Sequence, residues 1–433
     1  MNIALVGYEL EGRAAYIYWS NLGAQITICD AAADKQVPDG VDTQLGDDYL
    51  QNLDRFDVVW RTAGINPQKI IDANPGIEDK ITTTMNEFLR VCPTKHVIGV
   101  TGTKGKGTTS TLITKMLEAD GKQVFLGGNI GVSPFEFLPK LNNDSFVILE
   151  LSSFQLADLN ISPPMAVCLM VVPEHLNWHN DMDEYIIAKA NIFKYQKQQD
   201  TAVYFAQNDL SKKIAGYSPG NKIPYFAQPG AFIEDHMVQI AGQSICDIDD
   251  IQLLGKHNWE NICAAITVLW QITQNIEALR SVITTFSGLP HRLEVVRDAL
   301  GIKYYNDSFA STPDSAIAAM DAITASKVMI LGGFDRNLPL EHLAKAAVNH
   351  NEDIRKIIII GNCAPRLAEE FEKVGFSNYF VDESKSMHEI VASANTFAHN
   401  ADAVVLSPGF PSFDMFKNFE DRGNQFKDAV NSL

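Results

Sequence analysis

Eight consecutive residues, Gly102-Thr103-Lys104-Gly105-Lys106-Gly107-Thr108-Thr109, hold the densest chemistry in the chain. A β-rich apolar run (96–100) enters them and a helical pattern (109–120) leaves them, which makes them a strand-loop-helix junction. Closely spaced glycines let backbone N–H groups curl around phosphate oxygens, the helix N-terminus adds its dipole, and Lys106 reaches terminal phosphates. The glycines sit closer together than in the GxxxxGK[ST] pattern, since only two residues separate Gly102 from Gly105. A glycine turn without ligand is the plainer alternative, and the strand, the lysine and the hydroxyl pair Thr108-Thr109 weigh against it.

Other candidates gather around this loop. Glu150 closes the apolar run Phe146-Val147-Ile148-Leu149, and a carboxylate at a strand end beside a phosphate loop suits Mg²⁺. His175, in Pro173-Glu174-His175, closes the next apolar run, so two ligand types converge on one sheet edge. Lys189 lies on an amphipathic helical stretch, where a solvated lysine is the default. Asn258 and Asn261 begin another helix, and a capping role is the simple reading of Asn258. Later, His291-Arg292 follows a Gly-Leu-Pro turn and Asn306-Asp307-Ser308 ends a strand; an Arg and an Asp from a second domain suit closure over a nucleotide.

The elements that must position these groups alternate between strand and helix along the whole chain. Strands are expected at 2–6, 25–29, 58–61 and 80–83, then at 96–100, 123–126, 145–150, 166–171 and 201–205, then at 303–305, 327–331, 356–360, 379–381 and 404–406. The expected fold is α/β with three domains: a Rossmann-like domain at 1–93, a central P-loop ATPase-type doubly wound parallel sheet at 94–289, and a Rossmann-like domain at 290–433. The first turn, Gly7-Tyr8-Glu9-Leu10-Glu11-Gly12, keeps the outer glycines of GxGxxG but places a charged side chain where a pyrophosphate must approach, which speaks against NAD.

Length and composition agree: 433 residues with 46% apolar and 20% charged side chains make an ordinary globular protein of several domains. Fifty-three acids against 35 bases leave a net charge of -18, so the surface repels nucleic acid and anionic membranes, and a phosphate ligand needs a local device to hold it. Six scattered cysteines without CxxC spacing suggest reduced thiols of a cytoplasmic protein. No apolar stretch has the length of a membrane span, and the N-terminus lacks the basic start of a signal peptide.

Taken together, the motifs resemble the Mur ligase family. The resemblance is carried by the loop 102–109, GGNIG (127–131), ELSSFQL (150–156), GKHNWEN (255–261), GLPHRLEVV (288–296), YNDSFAST (305–312) and SFDMFKNFEDRGNQF (412–426), and it runs through all three segments in order. It implies a monomeric, cytoplasmic ATP-dependent ligase that adds glutamate, in the D form, to UDP-N-acetylmuramoyl-L-alanine during peptidoglycan precursor synthesis. By the same resemblance, Gly102 to Thr109, Asn258, Asn261, Arg292 and Asp307 would bind ATP. Thr108, Glu150, His175 and a carbamylated Lys189 would hold two Mg²⁺ ions, and Lys106 and His291 would join Glu150, His175 and Lys189 in catalysis. Asp30, Gly64, Ile65, Asn129 and Ser152 would line the UDP-substrate site. Ser311, Arg336, Ser412 and Phe419 would receive the glutamate.

The chain departs from the family pattern at several positions. Gly107 replaces a hydroxyl residue, as in folylpolyglutamate synthases, which leaves the Mg²⁺ hydroxyl open; Phe309 and Arg336 each stand where a lysine is usual, and Ser311 stands for a threonine. An L-glutamate-adding variant, a folylpolyglutamate synthase and a regulatory nucleotide-binding module without turnover are therefore the competing readings.

Overall fold

Short β-branched runs without polar alternation must be covered on both faces, which a parallel sheet flanked by helices achieves. The computed structural model, which describes residues 1–130, 132–175, 178–253, 255–299 and 301–433, shows three such sheets. Gly131, the last residue of the GGNIG segment, lies outside the described residues, as do Leu176, Asn177, Leu254 and Leu300. The chain divides into two compact units, Met1–Ile251 with Lys256–Thr285, and Gln252–Gly255 with Phe286–Leu433.

In the first unit, β1 (Asn2–Val6), β2 (Gln25–Asp30), β3 (Asp42–Leu45), β4 (Val58–Arg61) and β5 (Ile81–Thr82) form a parallel sheet in the order β3-β2-β1-β4-β5. A second parallel sheet joins β6 (Val97–Thr101), β7 (Val124–Gly128), β8 (Phe146–Glu150), β9 (Met165–Cys168), β10 (Thr201–Phe205) and β11 (Asn221–Tyr225) in the order β11-β10-β9-β6-β8-β7. In each sheet the chain leaves two adjacent strands in opposite directions, β1 and β4 in the first, β6 and β9 in the second. The crevice at those carboxyl ends is where such folds take ligands. A small antiparallel sheet of β12 (Phe232–Glu234), β13 (Met237–Ile240) and β14 (Gln243–Asp247) follows, which the sequence pattern does not announce.

The two parallel sheets share one hydrophobic cluster, in which Ile3, Trp19, Trp60 and Phe88 are continuous with Phe135, Phe137, Leu149 and Tyr185. The Tyr18 ring lies flat on Phe135, 4.1 Å between centroids. A polar tie adds direction to this contact. Arg61, at the end of β4, is sealed from water and grips Asp158 through Nε (2.7 Å) and Nη2 (2.5 Å). The same guanidinium donates to the carbonyls of Thr62 (3.2 Å), Ile65 (2.9 Å) and Phe154 (3.0 Å).

In the second unit, β15 (Glu294–Ala299), β16 (Ile302–Asn306), β17 (Lys327–Gly332), β18 (Ile354–Ile360), β19 (Tyr379–Val381) and β20 (Ala403–Leu406) form one sheet in the order β15-β16-β20-β17-β18-β19. All its pairings are parallel except the edge pair β15 with β16. The lone antiparallel edge is a hairpin whose turn lies around Gly301 (φ +77°), where a Cβ would meet Asn400.

Removing the carboxylate from a guanidinium that water cannot reach leaves an uncompensated buried charge. Asp158→Ala is therefore expected to destabilise the first unit by about 3 kcal/mol. Denaturant titration followed by tryptophan fluorescence checks this; a loss below about 1 kcal/mol would show that the carbonyls alone satisfy Arg61.

Candidate active site

The loop after β6 is shaped by steric necessity. Gly102 (φ +148°) and Gly105 (φ +85°) adopt backbone angles that side chains resist, and a Cβ on Gly105 would collide with Asn261 Oδ1. The following helix begins at Lys106, three residues before the sequence reading placed it, and runs to Ala119. The first-turn amides of Lys106, Gly107 and Thr108 thus lack intrahelical acceptors and face the loop, the arrangement that receives an anion. Lys106 Nζ curls over the loop onto the carbonyls of Gly102 and Thr103, both at 3.0 Å. Thr103 fastens the loop to the segment after β9: its amide donates to Met170 O (2.8 Å), and its hydroxyl donates to Val172 O (3.0 Å) and meets Tyr185 Oη (2.9 Å). Lys104 is exposed and pairs with Glu174 at 3.2 Å.

Asn258 is not a cap. It is the third residue of the helix Lys256–Leu269 and is buried, its Oδ1 accepting from Asn261 Nδ2 at 3.0 Å. Asn261 Oδ1 in turn receives the Thr109 hydroxyl at 3.4 Å. The pair therefore buttresses the glycine loop from the side.

Lys189, far from being solvated, is 1% exposed on the helix Met182–Lys194. Its Nζ donates to Gly102 O (3.0 Å) beneath the loop and lies 4.7 Å from the Tyr185 ring centroid. Burial pushes its amine down to about 7, and the neighbouring Lys106 cation acts in the same sense. His175 adopts a left-handed backbone (φ +59°), a strained conformation for a side chain of its size, and its ring packs on Phe154 at 4.8 Å. Partial burial lowers its pKa, opposed by Glu174 and reinforced by Lys106, Lys189 and Lys104. Lys104, Lys106, His175 and Lys189 thus share one electrostatic neighbourhood.

Glu150, buried at the end of β8, lies across β6 from that cluster and accepts from Asn129 Nδ2 at 2.7 Å. Asn129 N–H also donates to Glu150 O (2.8 Å), so the two residues hold each other in place. Ser152 caps the short helix Ser153–Leu156 in a box with Gln155. Among the described residues no three His, Cys, Asp or Glu side chains converge as a ready metal site. Around the loop, the Glu150 carboxylate and the Thr108 hydroxyl are side-chain oxygens that could hold a dication.

At the ends of β2 and β4, the Asp30 carboxylate accepts from the amides of Tyr8 (2.8 Å) and Ala32 (3.0 Å). Glu9 is exposed and pairs with Lys35, while a Cβ on Gly12 would strike Gly7 O, so the outer glycines serve the turn itself. Gly64 and Ile65 follow β4 in a loop held by Glu11, which accepts from Thr62 Oγ1 (2.9 Å) and Ala63 N (3.0 Å). Trp178 Nε1 donates to Gly64 O (3.3 Å) and Asn66 Nδ2 to Trp178 O (3.1 Å), so this loop and the His175 segment are stitched together. The sequence reading did not single out Arg61 or Trp178. An arginine ending an otherwise apolar strand was the available signal for Arg61.

The second unit places its candidates at the carboxyl ends of adjacent strands: Asp307 and Ser311 after β16, Ser412 after β20, Arg336 after β17. Asp307 is buried and its pKa is pushed up to about 7, although Ser407 Oγ (2.7 Å) and Leu293 N–H (3.1 Å) donate to it. His291 is buried with a left-handed backbone (φ +63°); its Nδ1 meets Asn306 Nδ2 at 2.9 Å, and a Cβ on Gly423 would collide with the ring. Ser412 is buried, and Phe419 opens the helix Phe419–Asn431. Arg422 is sealed inside and donates to Ser308 Oγ, Ser308 O and Phe410 O. Arg336 is exposed on a loop that Asp335 anchors to Arg366 through two 2.6 Å contacts.

A glycine loop at a doubly wound crevice, with the buried carboxylate of Glu150 at a neighbouring strand end and the buried Lys189 beneath the loop, has the form of a nucleotide-dependent enzyme of the P-loop type. Comparison with known proteins specifies the family: residues 100–269 match the Mur ligase middle domain, and residues 291–410 the Mur ligase glutamate ligase domain. The chain is 37% identical to the UDP-N-acetylmuramoylalanine–D-glutamate ligase of Clostridium kluyveri and 36% identical to that of Clostridium botulinum, in each case over all of this chain and 96% of the relative. It therefore belongs to the Mur ligase family. Among solved structures, UDP-N-acetylmuramate-alanine ligase from Thermotoga maritima shares the fold with a TM-score of 0.61 at 16% identity, covering 100% of this chain and 99% of that one. A MurF ligase from the same organism, in complex with ADP, gives 0.59 at 17% identity, covering 99% and 94%. No helix among the described residues is long and apolar enough to cross a membrane.

Gly105→Ala is expected to force Asn261 off Thr109 and to add about 1–2 kcal/mol of backbone strain. Titration with a fluorescent ADP analogue should show roughly tenfold weaker binding, about 1.4 kcal/mol. Unchanged binding would mean that the loop tolerates the side chain and that Asn261 does not set its shape.

Proposed function

We propose that the protein is an ATP-dependent ligase that joins D-glutamate to UDP-N-acetylmuramoyl-L-alanine. The observation that carries this reading is the buried Lys189 under the glycine loop, set within a chain related over its whole length to ligases bearing that name. The UDP-substrate is assigned to the crevice of the first sheet, with Asp30, Gly64 and Ile65, and to Asn129 and Ser152 on the path toward the loop. ATP is assigned to residues 102–109 with Asn258, Asn261, Arg292 and Asp307, and glutamate to Ser311, Arg336, Ser412 and Phe419.

A carboxylate is a poor electrophile, so the reaction activates it. The γ-phosphoryl group of ATP passes to the carboxylate of the alanyl substrate, ADP leaves, and an acyl phosphate forms. The deprotonated amine of glutamate attacks the acyl carbon, and collapse of the tetrahedral intermediate expels phosphate and leaves an amide. Lys106 and the first-turn amides offset charge on the phosphates as it shifts. His291, whose Nδ1 meets Asn306 Nδ2 at 2.9 Å, is assigned to catalysis with Lys106, Glu150, His175 and Lys189.

Mg²⁺, when bound, screens the phosphate charges and orients the transferred group. Glu150 and Thr108 offer it oxygen and His175 an imidazole nitrogen. Lys189 fits only after modification: as an ammonium it would repel the ion, whereas a carbamate offers anionic oxygen. A near-neutral amine under the loop supports that chemistry, because only the free base attacks CO₂.

Incubation with ATP, Mg²⁺, UDP-N-acetylmuramoyl-L-alanine and either glutamate enantiomer, read by phosphate release and product mass, tests the reading. D-glutamate should give product and L-glutamate none; glutamate-independent phosphate release, or none with either enantiomer, would refute the ligase. Lys189→Ala should lose activity by at least a hundredfold, about 2.7 kcal/mol of barrier, and recover part of it with short carboxylic acids. Protonation removes the nucleophilic amine, so the carbamate should be present above pH 7 and disappear as pH falls through about 7. The ¹³C NMR signal after incubation with labelled bicarbonate follows it directly, and a pH-independent signal, or none at pH 8, would exclude the modification.

A further inference from the structure

The segment after β1 carries Glu9 where a pyrophosphate approaches a Rossmann-like sheet, with Glu11 two residues on and Asp30 at the end of the neighbouring β2. Three carboxylates in one crevice repel a phosphate ligand unless each is engaged elsewhere. The structure shows how each is engaged. Glu11 turns toward the loop after β4 and accepts from Thr62 Oγ1 (2.9 Å) and Ala63 N–H (3.0 Å). Asp30 accepts from the amides of Tyr8 (2.8 Å) and Ala32 (3.0 Å). Glu9, with 75% of its side chain exposed, pairs with the Lys35 ammonium at 2.5 Å.

Lys35 comes from the loop that follows β2 and bends back over the segment after β1. Its Nζ also lies 3.4 Å from Asp30 Oδ2, so one ammonium spans two carboxylates. Its backbone N–H donates to Ala32 O at 3.2 Å, which fixes the root of the side chain. The hydrogen bond to Glu9 raises its pKa above the ordinary lysine value, and the charge of Asp30 adds to this, so the cation persists at neutral pH. The two partners are unequal. Asp30 is 11% exposed and held by two amides, whereas Glu9 reaches into water and is rehydrated when its pair opens, so that contact exchanges at little cost. An ammonium held by a fixed carboxylate on one side and an exchangeable one on the other is prepared for an incoming anion.

We propose that Lys35 binds the pyrophosphate of the UDP-substrate, and that Glu9 is the anion it exchanges for that pyrophosphate. The inference rests on the assignment of the UDP-substrate to the first crevice made above, and it supplies the cation that the assignment lacked. Glu9 keeps Lys35 in place before the substrate arrives, and a ligand without phosphate charge cannot displace it.

The test compares Lys35→Ala, Lys35→Arg, Glu9→Gln and the double variant Lys35→Ala with Glu9→Gln in the full chain. UDP binding is read by calorimetry and uridine binding by ligand-observed NMR, with the melting temperature as control for folding. Lys35→Ala should weaken UDP about tenfold and leave uridine unchanged, and Lys35→Arg should retain most of the native affinity. In steady state, Lys35→Ala should raise the KM for the UDP-substrate while the KM for ATP stays constant. Glu9→Gln should tighten UDP about threefold, because the competing anion is gone. In the Glu9→Gln background, Lys35→Ala should still weaken UDP about tenfold; loss of the effect there would show that Lys35 does no more than neutralise Glu9, and would overturn the proposal. Equal weakening of UDP and uridine, native UDP affinity in Lys35→Ala, or weaker UDP binding by Glu9→Gln would overturn it as well. A native chain that binds neither UDP nor uridine would overturn the proposal together with the assignment of the first crevice, whereas UDP binding that ignores Lys35 would overturn the proposal alone.

Discussion

The first unit depends on one guanidinium that water does not reach. Arg61 must find acceptors for its N–H groups inside the protein, and it finds them on two segments at once: the stretch 154–158, through the Phe154 carbonyl and the Asp158 carboxylate, and the turn 62–65. Leaving any of these donors unmet in a low-dielectric interior costs more than the bond gains in water, so the two segments cannot drift apart independently. Phe154 lies two residues beyond Ser152 and packs on His175, while the turn 62–65 carries Gly64 and Ile65. Together with the bonds of Trp178 to Gly64 and Asn66, this side chain ties the proposed uridine loop to the segments that flank the phosphate loop.

The second constraint is electrostatic. Lys104, Lys106 and Lys189 crowd one loop in a chain of net charge -18, and burial keeps Lys189 from bearing its full charge at neutral pH. The acidic composition excludes a general affinity for polyanions, yet it leaves room for a cationic pocket a few ångströms wide, because screening confines each charge's influence to about 10 Å. The carbamate proposed for Lys189 would turn a repulsion from Lys106 into an attraction.

Much of this was legible in one dimension. The parallel strands announce themselves as buried apolar runs, and the glycine loop, Glu150 and His175 stand at their ends, where a doubly wound sheet takes ligands. The short strands β3 and β11 and the antiparallel sheet β12 to β14 were not legible, since three to five residues of mixed polarity carry too little periodicity to separate strand from loop. Asn258 illustrates a different failure. Asparagine near a helix start favours the cap by propensity, but here the helix begins earlier and the side chain is turned inward onto Asn261. Lys189 looked solvated for the same reason: helical spacing gives a face, and only packing tells whether that face meets water.

By itself, then, the sequence determined the local geometry that backbone chemistry dictates: glycines where φ must be positive, apolar runs that must pair as buried strands, and a lysine at a strand-to-helix junction. These depend on neighbours in the chain and survive without knowledge of the rest. Tertiary structure alone decided which side chains lose water and which distant groups they meet. Arg61 finds Asp158 across 97 positions, Lys189 reaches the Gly102 carbonyl across 87, and Arg292 settles on the ring of Phe309. Charge state and orientation follow from desolvation and contact, and both are properties of a place in space that a position in a chain does not contain.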